Sequence, residues 1–233
     1  MSWTSRNIAL VAVLSFGIGI AGPASANLIS DGSFETPVVS SGGFTSVGVG
    51  SSFGTGNPWT VVGVGFVSPI SGLYTNGAFS FPAEDAAQWL DMTGFVSNTG
   101  TGIEQTVSGL TAGTLYDLSF WVGNQNAPTA GWGSTSSVEV FVNGVSQGTF
   151  TNSGSSGLTQ FWEQFTTSFT ASGTSATIDF YNRDPSNDNT NGLDNIVLDA
   201  AGTPPPSVPE PATLALLGLG LAGMGAMRRR KQA

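Results

Sequence analysis

The strongest constraint on the fold is an alternation of period two that recurs through the chain, with no helical periodicity over three turns anywhere between Asn27 and Ala201. Successive side chains of a strand point to opposite faces, so such a pattern specifies a sheet with one apolar side. In Leu115–Val122, residues Tyr116, Leu118, Phe120 and Val122 share one side, while Leu115, Asp117, Ser119 and Trp121 share the other. Val138, Val140 and Val142 repeat it, and Asn143-Gly144 then supplies the positive φ angles of a tight hairpin turn. Phe165, Thr167 and Phe169 alternate likewise, as do Ile178 and Phe180 against Thr177, Asp179 and Tyr181. Short strands separated by glycine-containing turns predict an all-β jelly-roll β-sandwich. The stretch Val38–Thr55 reads as loop with one edge strand.

Composition removes whole chemistries. There is no cysteine and no histidine, so disulfides, Ser-His-Asp triads and zinc held by imidazole or thiolate are excluded. Between Asn27 and Ala201, fourteen acidic residues stand against the single cation Arg183, a net charge of −13. Nucleic-acid affinity comes largely from Lys and Arg displacing counterions, so nucleic acid is excluded as a partner. The five Trp and the many Phe, Val and Ile of this segment provide the apolar surface for a core of its own.

The two ends read as addresses. Arg6 precedes an apolar stretch, Ile8–Ile20, and Ala24-Ser25-Ala26 has the small residues that signal peptidase requires, which predicts a signal peptide over 1–26 and export. A β-sandwich domain over 27–201 is followed by a Pro-rich linker over 202–211 and by 212–233, an apolar helix with a basic tail. Ala212–Met227 carries no charge and is slightly short of the ~20 residues that usually cross hydrocarbon; the cations behind it suit the cytoplasmic side.

The order Val208-Pro209-Glu210-Pro211, hydrophobic helix, then Arg228, Arg229 and Arg230 closely resembles the PEP-CTERM sorting signal of Gram-negative bacteria. The resemblance implies an exosortase-type processing enzyme, transient insertion of the transmembrane helix in the inner membrane, and delivery to the cell surface or extracellular matrix. A retained anchor is the alternative. The body, through LISDGSFETP, IEQTVSGLTAGTLYDLSFWV, FWEQFTTSFTASGTSATIDFYN and GLDNIVL, resembles the galactose-binding-like β-sandwiches that include many carbohydrate-binding modules. That resemblance implies a structural calcium, and Asp31, Glu35 and Asp194 match its acidic positions. The competing reading of these acids is that they cap turns.

Sugar rings present apolar faces and polar edges, so aromatics beside hydrogen-bonding groups are the candidates for binding. Trp121 and Tyr181 have outward parity, and Trp59, Trp89 and Trp132 lie in or near Gly- and Asn-rich loops, whereas Trp162 reads as core. Catalysis would have to use carboxylates, yet nothing in the spacing of Glu84, Asp85, Asp91, Glu104, Glu139 and Glu163 selects a pair. The expectation is therefore a non-catalytic, exported β-sandwich that contacts exopolysaccharide. Its competitors are a structural or adhesive matrix protein and a glycoside hydrolase.

Overall fold

A computed structural model of the chain describes residues 27–94, 99–185 and 190–202. The predicted leader, most of the linker and the hydrophobic tail lie outside the described residues. Thirteen strands occur among them: β1 (Val47–Gly48), β2 (Thr60–Gly63), β3 (Phe66–Ser71), β4 (Thr75–Asn76), β5 (Phe79–Ser80), β6 (Gln88–Asp91), β7 (Thr99–Ser108), β8 (Leu115–Asn124), β9 (Ser136–Val142), β10 (Val145–Asn152), β11 (Phe161–Thr170), β12 (Ser175–Arg183) and β13 (Gly192–Ala200). They form a six-stranded sheet in the order β1-β3-β6-β13-β8-β11, a five-stranded sheet in the order β10-β9-β12-β7-β2, and the small hairpin β4-β5. This is the all-β sandwich that the alternation predicts.

The main core fills the space between the two large sheets, where Leu118, Phe120, Val122, Val138, Val140, Ile178 and Phe180 are buried. Each comes from the face its parity assigns. Asn143 and Gly144 take φ of 50° and 75°, so β9 and β10 close through the turn expected from their side chains. The edge strand in the Val38–Thr55 stretch is β1, paired with β3. Asn27 ties the start of the domain to its last strand: its Nδ2 donates to Ile196 O, and its Oδ1 accepts from Ile29 N and Leu198 N.

One feature departs from simple alternation. All four residues of β6 and all but the first of β3 are buried, so the six-stranded sheet is covered on both sides there. The chain between β3 and β6 folds back over its outer face. Ile70, Phe81 and Trp89 form a second cluster there, packed by Tyr74, Phe79, Ala83, Trp132 and Trp162. Trp162 is thus half-buried in this outer layer rather than in the main core.

Candidate functional site

The outer layer encloses a cavity of about 320 Å³. Its floor is set by register: Ser68 faces Asp91 and Ile70 faces Trp89 across β3 and β6, and Gly192 faces Asp91 across β13. Phe44, Tyr74, Phe81, Trp89 and Trp132 wall it. Phe81 packs on Trp89 with ring centroids 6.3 Å apart and 20° between planes, and meets the Trp132 edge at 5.3 Å and 69°. Trp89 Nε1 donates to Phe81 O at 3.0 Å, which ties that indole to the Phe81 backbone, and Thr190 Oγ1 donates to Trp132 O at 3.1 Å, which fixes the Trp132 backbone. Asp91 is the carboxylate among the lining residues. It is buried, and its Oδ1 accepts from Thr93 N at 2.9 Å and Thr93 Oγ1 at 2.6 Å. An apolar, aromatic pocket with few convergent polar groups is the usual form of a small-molecule site.

The predicted aromatic residues divide between three places. Trp89 and Trp132 line the cavity. Trp121 lies half-buried on the same outer face of the sheet, two positions along β8 from Gly123, whose cross-strand partner is Trp162. Trp59 is fully buried in the main core, with Nε1 donating to Asp31 O, and presents nothing to a ligand. Tyr181 stands on the outer face of the other sheet, against Phe141 at 5.7 Å, with the Arg183 guanidinium 5.2 Å above its ring. Beside it Asp179 faces Glu104 across β12 and β7. Burial first, and then the Glu104 charge, pushes the Asp179 carboxyl up to about 6.

The three predicted metal ligands do not converge. Asp31 caps its own turn, accepting from Glu35 N and from Asn57 Nδ2. Glu35 and Asp194 both grip the loop before β6: Glu35 Oε1 accepts from Ala87 N and Gln88 N, and Asp194 Oδ2 from Glu84 N and Asp85 N. Asp194 is completely buried, and burial pushes its carboxyl up to about 8 although three backbone N–H groups pull it down. Among the described residues no three acidic side chains lie close enough to hold a metal ion. These carboxylates therefore do not fit a carboxylate-rich calcium cage; they pin a loop.

Residues 25–199 match the HpiC1-like family, described as HpiC1 cyclase. The chain belongs to the HpiC1-like family. Residues 207–231 match the PEP-CTERM protein-sorting motif, as the Pro-Glu-Pro, apolar and basic order predicted. No curated protein matches the chain. Among solved structures it is similar to a Stig cyclase, Fisc from Fischerella sp. TAU, in complex with (3Z)-3-(1-methyl-2-pyrrolidinylidene)-3H-indole, at 16% identity and a TM-score of 0.55 over 76% of this chain and 98% of that one. An apo cyclase from Fischerella sp. gives 15% identity and a TM-score of 0.50 over 78% and 100%. A carbohydrate-binding module, TmCBM61 in complex with β-1,4-galactotriose, gives 18% identity and a TM-score of 0.42 over 76% and 99%. Membership of a cyclase family overturns the expectation of a non-catalytic domain. That expectation looked for two carboxylates, whereas the pocket joins one carboxylate to a wall of aromatics. Asp91 was visible in the sequence only as one acid among several; its aromatic neighbours come from segments as far apart as Phe44 and Trp132.

Proposed function

We propose that the domain is an exported cyclase that takes a small, unsaturated, electron-rich molecule into the aromatic pocket. The observation that carries this reading is that one carboxylate, the buried Asp91, lines the pocket among walls of Phe44, Tyr74, Phe81, Trp89 and Trp132. A carboxylic acid at Asp91 gives its proton to a π-bond of the substrate. The carbocation formed closes a ring onto a second π-system, and the Asp91 carboxylate takes a proton back, so the product is an isomer of the substrate. Aromatic faces attract a cation within about 6 Å, which stabilises the charged intermediate without a nucleophile to trap it. Thr93 orients the carboxyl by donating from its N and its Oγ1 to Asp91 Oδ1.

The test is conversion in D2O of a panel of prenylated and vinyl indoles, read by mass spectrometry. A ring-closed product carrying one solvent deuterium is expected, with Asp91→Asn slower by about 10²–10⁴-fold and still able to bind. Undiminished turnover by Asp91→Asn would refute the assignment.

Polysaccharide contact is a second reading, supported by the half-exposed Trp121 and Trp162 on the same sheet face. Affinity electrophoresis in exopolysaccharide tests it: retardation that Trp121→Ala removes supports it, and unchanged mobility refutes it. The sorting motif supports cleavage near Pro-Glu-Pro by an exosortase-type enzyme and release at the cell surface or into the matrix. Intact mass of the secreted protein, beginning at Asn27 and ending near Pro211, is the expected result; full-length protein would refute it.

A further inference from the structure

Three buried side-chain amide atoms have no hydrogen-bond partner in the protein: Gln125 Oε1, Gln160 Oε1 and Gln160 Nε2. Both glutamines are almost completely buried, 1% and 3% exposed. Gln125 follows the last residue of β8 and Gln160 precedes the first of β11, each an even number of positions from Trp121 or Trp162, so continued alternation puts them on the same outer face. Leaving one buried polar group unpaired is costly, and native proteins pair such groups with protein, water or ligand. Three together, on the face that carries the pocket, call for an occupant.

The inventory of groups specifies its chemistry. Gln125 Nε2 is used, donating to Gly157 O at 2.8 Å, so its amide orientation is fixed and only its acceptor is left. Gln160 offers one amide donor group and one acceptor. A complementary group therefore supplies two donors and one acceptor, which is the pattern of a primary carboxamide. A carboxylate supplies no donor, and the net charge of −13 over 27–201 opposes it.

The spacing suits a molecule that also fills the pocket. Asp91 faces Gly192, Gly192 faces Gly123, and Gly123 faces Trp162 across successive strands. Gln160 Nε2 reaches back over Gly123, 2.8 Å from where a Cβ there would stand. Two strand spacings, about 10 Å, therefore separate Asp91 from the amides. The half-exposed Trp162 indole lies over both glycines and forms the platform between them.

Resting on the reading of the aromatic pocket as the substrate site, we propose that Gln125 and Gln160 form a hydrogen-bonding subsite for a neutral carboxamide carried by that substrate. The two probes are 3-methylindole and indole-3-carboxamide, which share a ring and differ in the amide, titrated into the full-length protein by calorimetry. The carboxamide is expected to bind about tenfold or more tightly, as three added hydrogen bonds would give. Gln160→Met and Gln125→Met should each erase that preference and leave 3-methylindole within about twofold. The side-chain amide resonances of both glutamines in the unaltered protein should move with the carboxamide and not with 3-methylindole, which keeps the test decisive if a variant misfolds. Equal affinities, or a preference that survives both substitutions, overturn the subsite and leave the pocket standing; they would assign the amides to internal water. Failure of both probes to bind overturns the pocket and the subsite together.

Discussion

Replacing Trp89 by Phe tests whether the outer aromatic layer is a built part of the fold or a surface decoration. Trp89 is 1% exposed, and its Nε1 donates to Phe81 O at 3.0 Å. Phe removes that donor and leaves a buried carbonyl short of a partner, at ~1–2 kcal/mol. The smaller ring also gives up ~40 Å² of buried apolar surface, ~1 kcal/mol at about 25 cal/mol/Å². The edge contact with Trp162, at 6.0 Å and 82°, weakens as well. The total is about 2–3 kcal/mol, which in a domain of this size lowers Tm by roughly 5–10 °C. Differential scanning calorimetry reads this directly, with Trp121→Phe as the control. That half-buried indole has the same outward parity, and its substitution should cost under about 1 kcal/mol. A Trp89→Phe protein melting within about 1 °C of the parent, or no worse than the control, would refute the claim that the sheet is sealed on both sides.

Three further outcomes follow from the geometry. The folded-state pKa of Asp179 lies above its usual value, so its contribution to stability is full below about pH 4 and is lost as pH rises to about 6. Asp179→Asn should flatten stability over that range in urea titrations at several pH values, and an unchanged slope would count against it. Asn152 is completely buried and joins three segments: Nδ2 donates to Val122 O and Phe161 O, and Oδ1 accepts from Gly154 N. Asn152→Ala should cost about 3 kcal/mol by chemical denaturation; a loss under ~1 kcal/mol would show these bonds to be dispensable. Asp31, Glu35 and Asp194 are each engaged by backbone N–H groups and do not converge on one point, so calcium should leave stability unchanged. Melting curves in EDTA and in millimolar calcium should coincide, whereas a higher Tm in calcium would refute the assignment of these acids to loop pinning.

How much of this was legible in the chain depends on the range over which each signal acts. Alternation, the Asn143-Gly144 turn, the sandwich class and the sorting motif are local patterns, and a sequence displays them in full. Trp121 shows the limit of parity: its outward direction was read correctly, yet the same face of the six-stranded sheet carries a second buried layer over β3 and β6, which holds Trp89. Trp59 shows the same limit from the other side, since its place in a loop concealed a fully buried position in the main core. Asp31, Glu35 and Asp194 were adjacent in expectation but each is spent on backbone N–H groups of a different or shared loop.

The sequence by itself determined the strand class, the core face of each long strand, the anionic body and the address at the end, because these rest on period, charge and spacing along the chain. Tertiary structure alone decided that Asp91 shares a cavity with Phe44 and Trp132 and that Gln125 and Gln160 are buried. Those placements depend on sheet order and on loops folding back across a face. No property of a residue's sequence neighbours encodes which distant strand will lie 4.8 Å away.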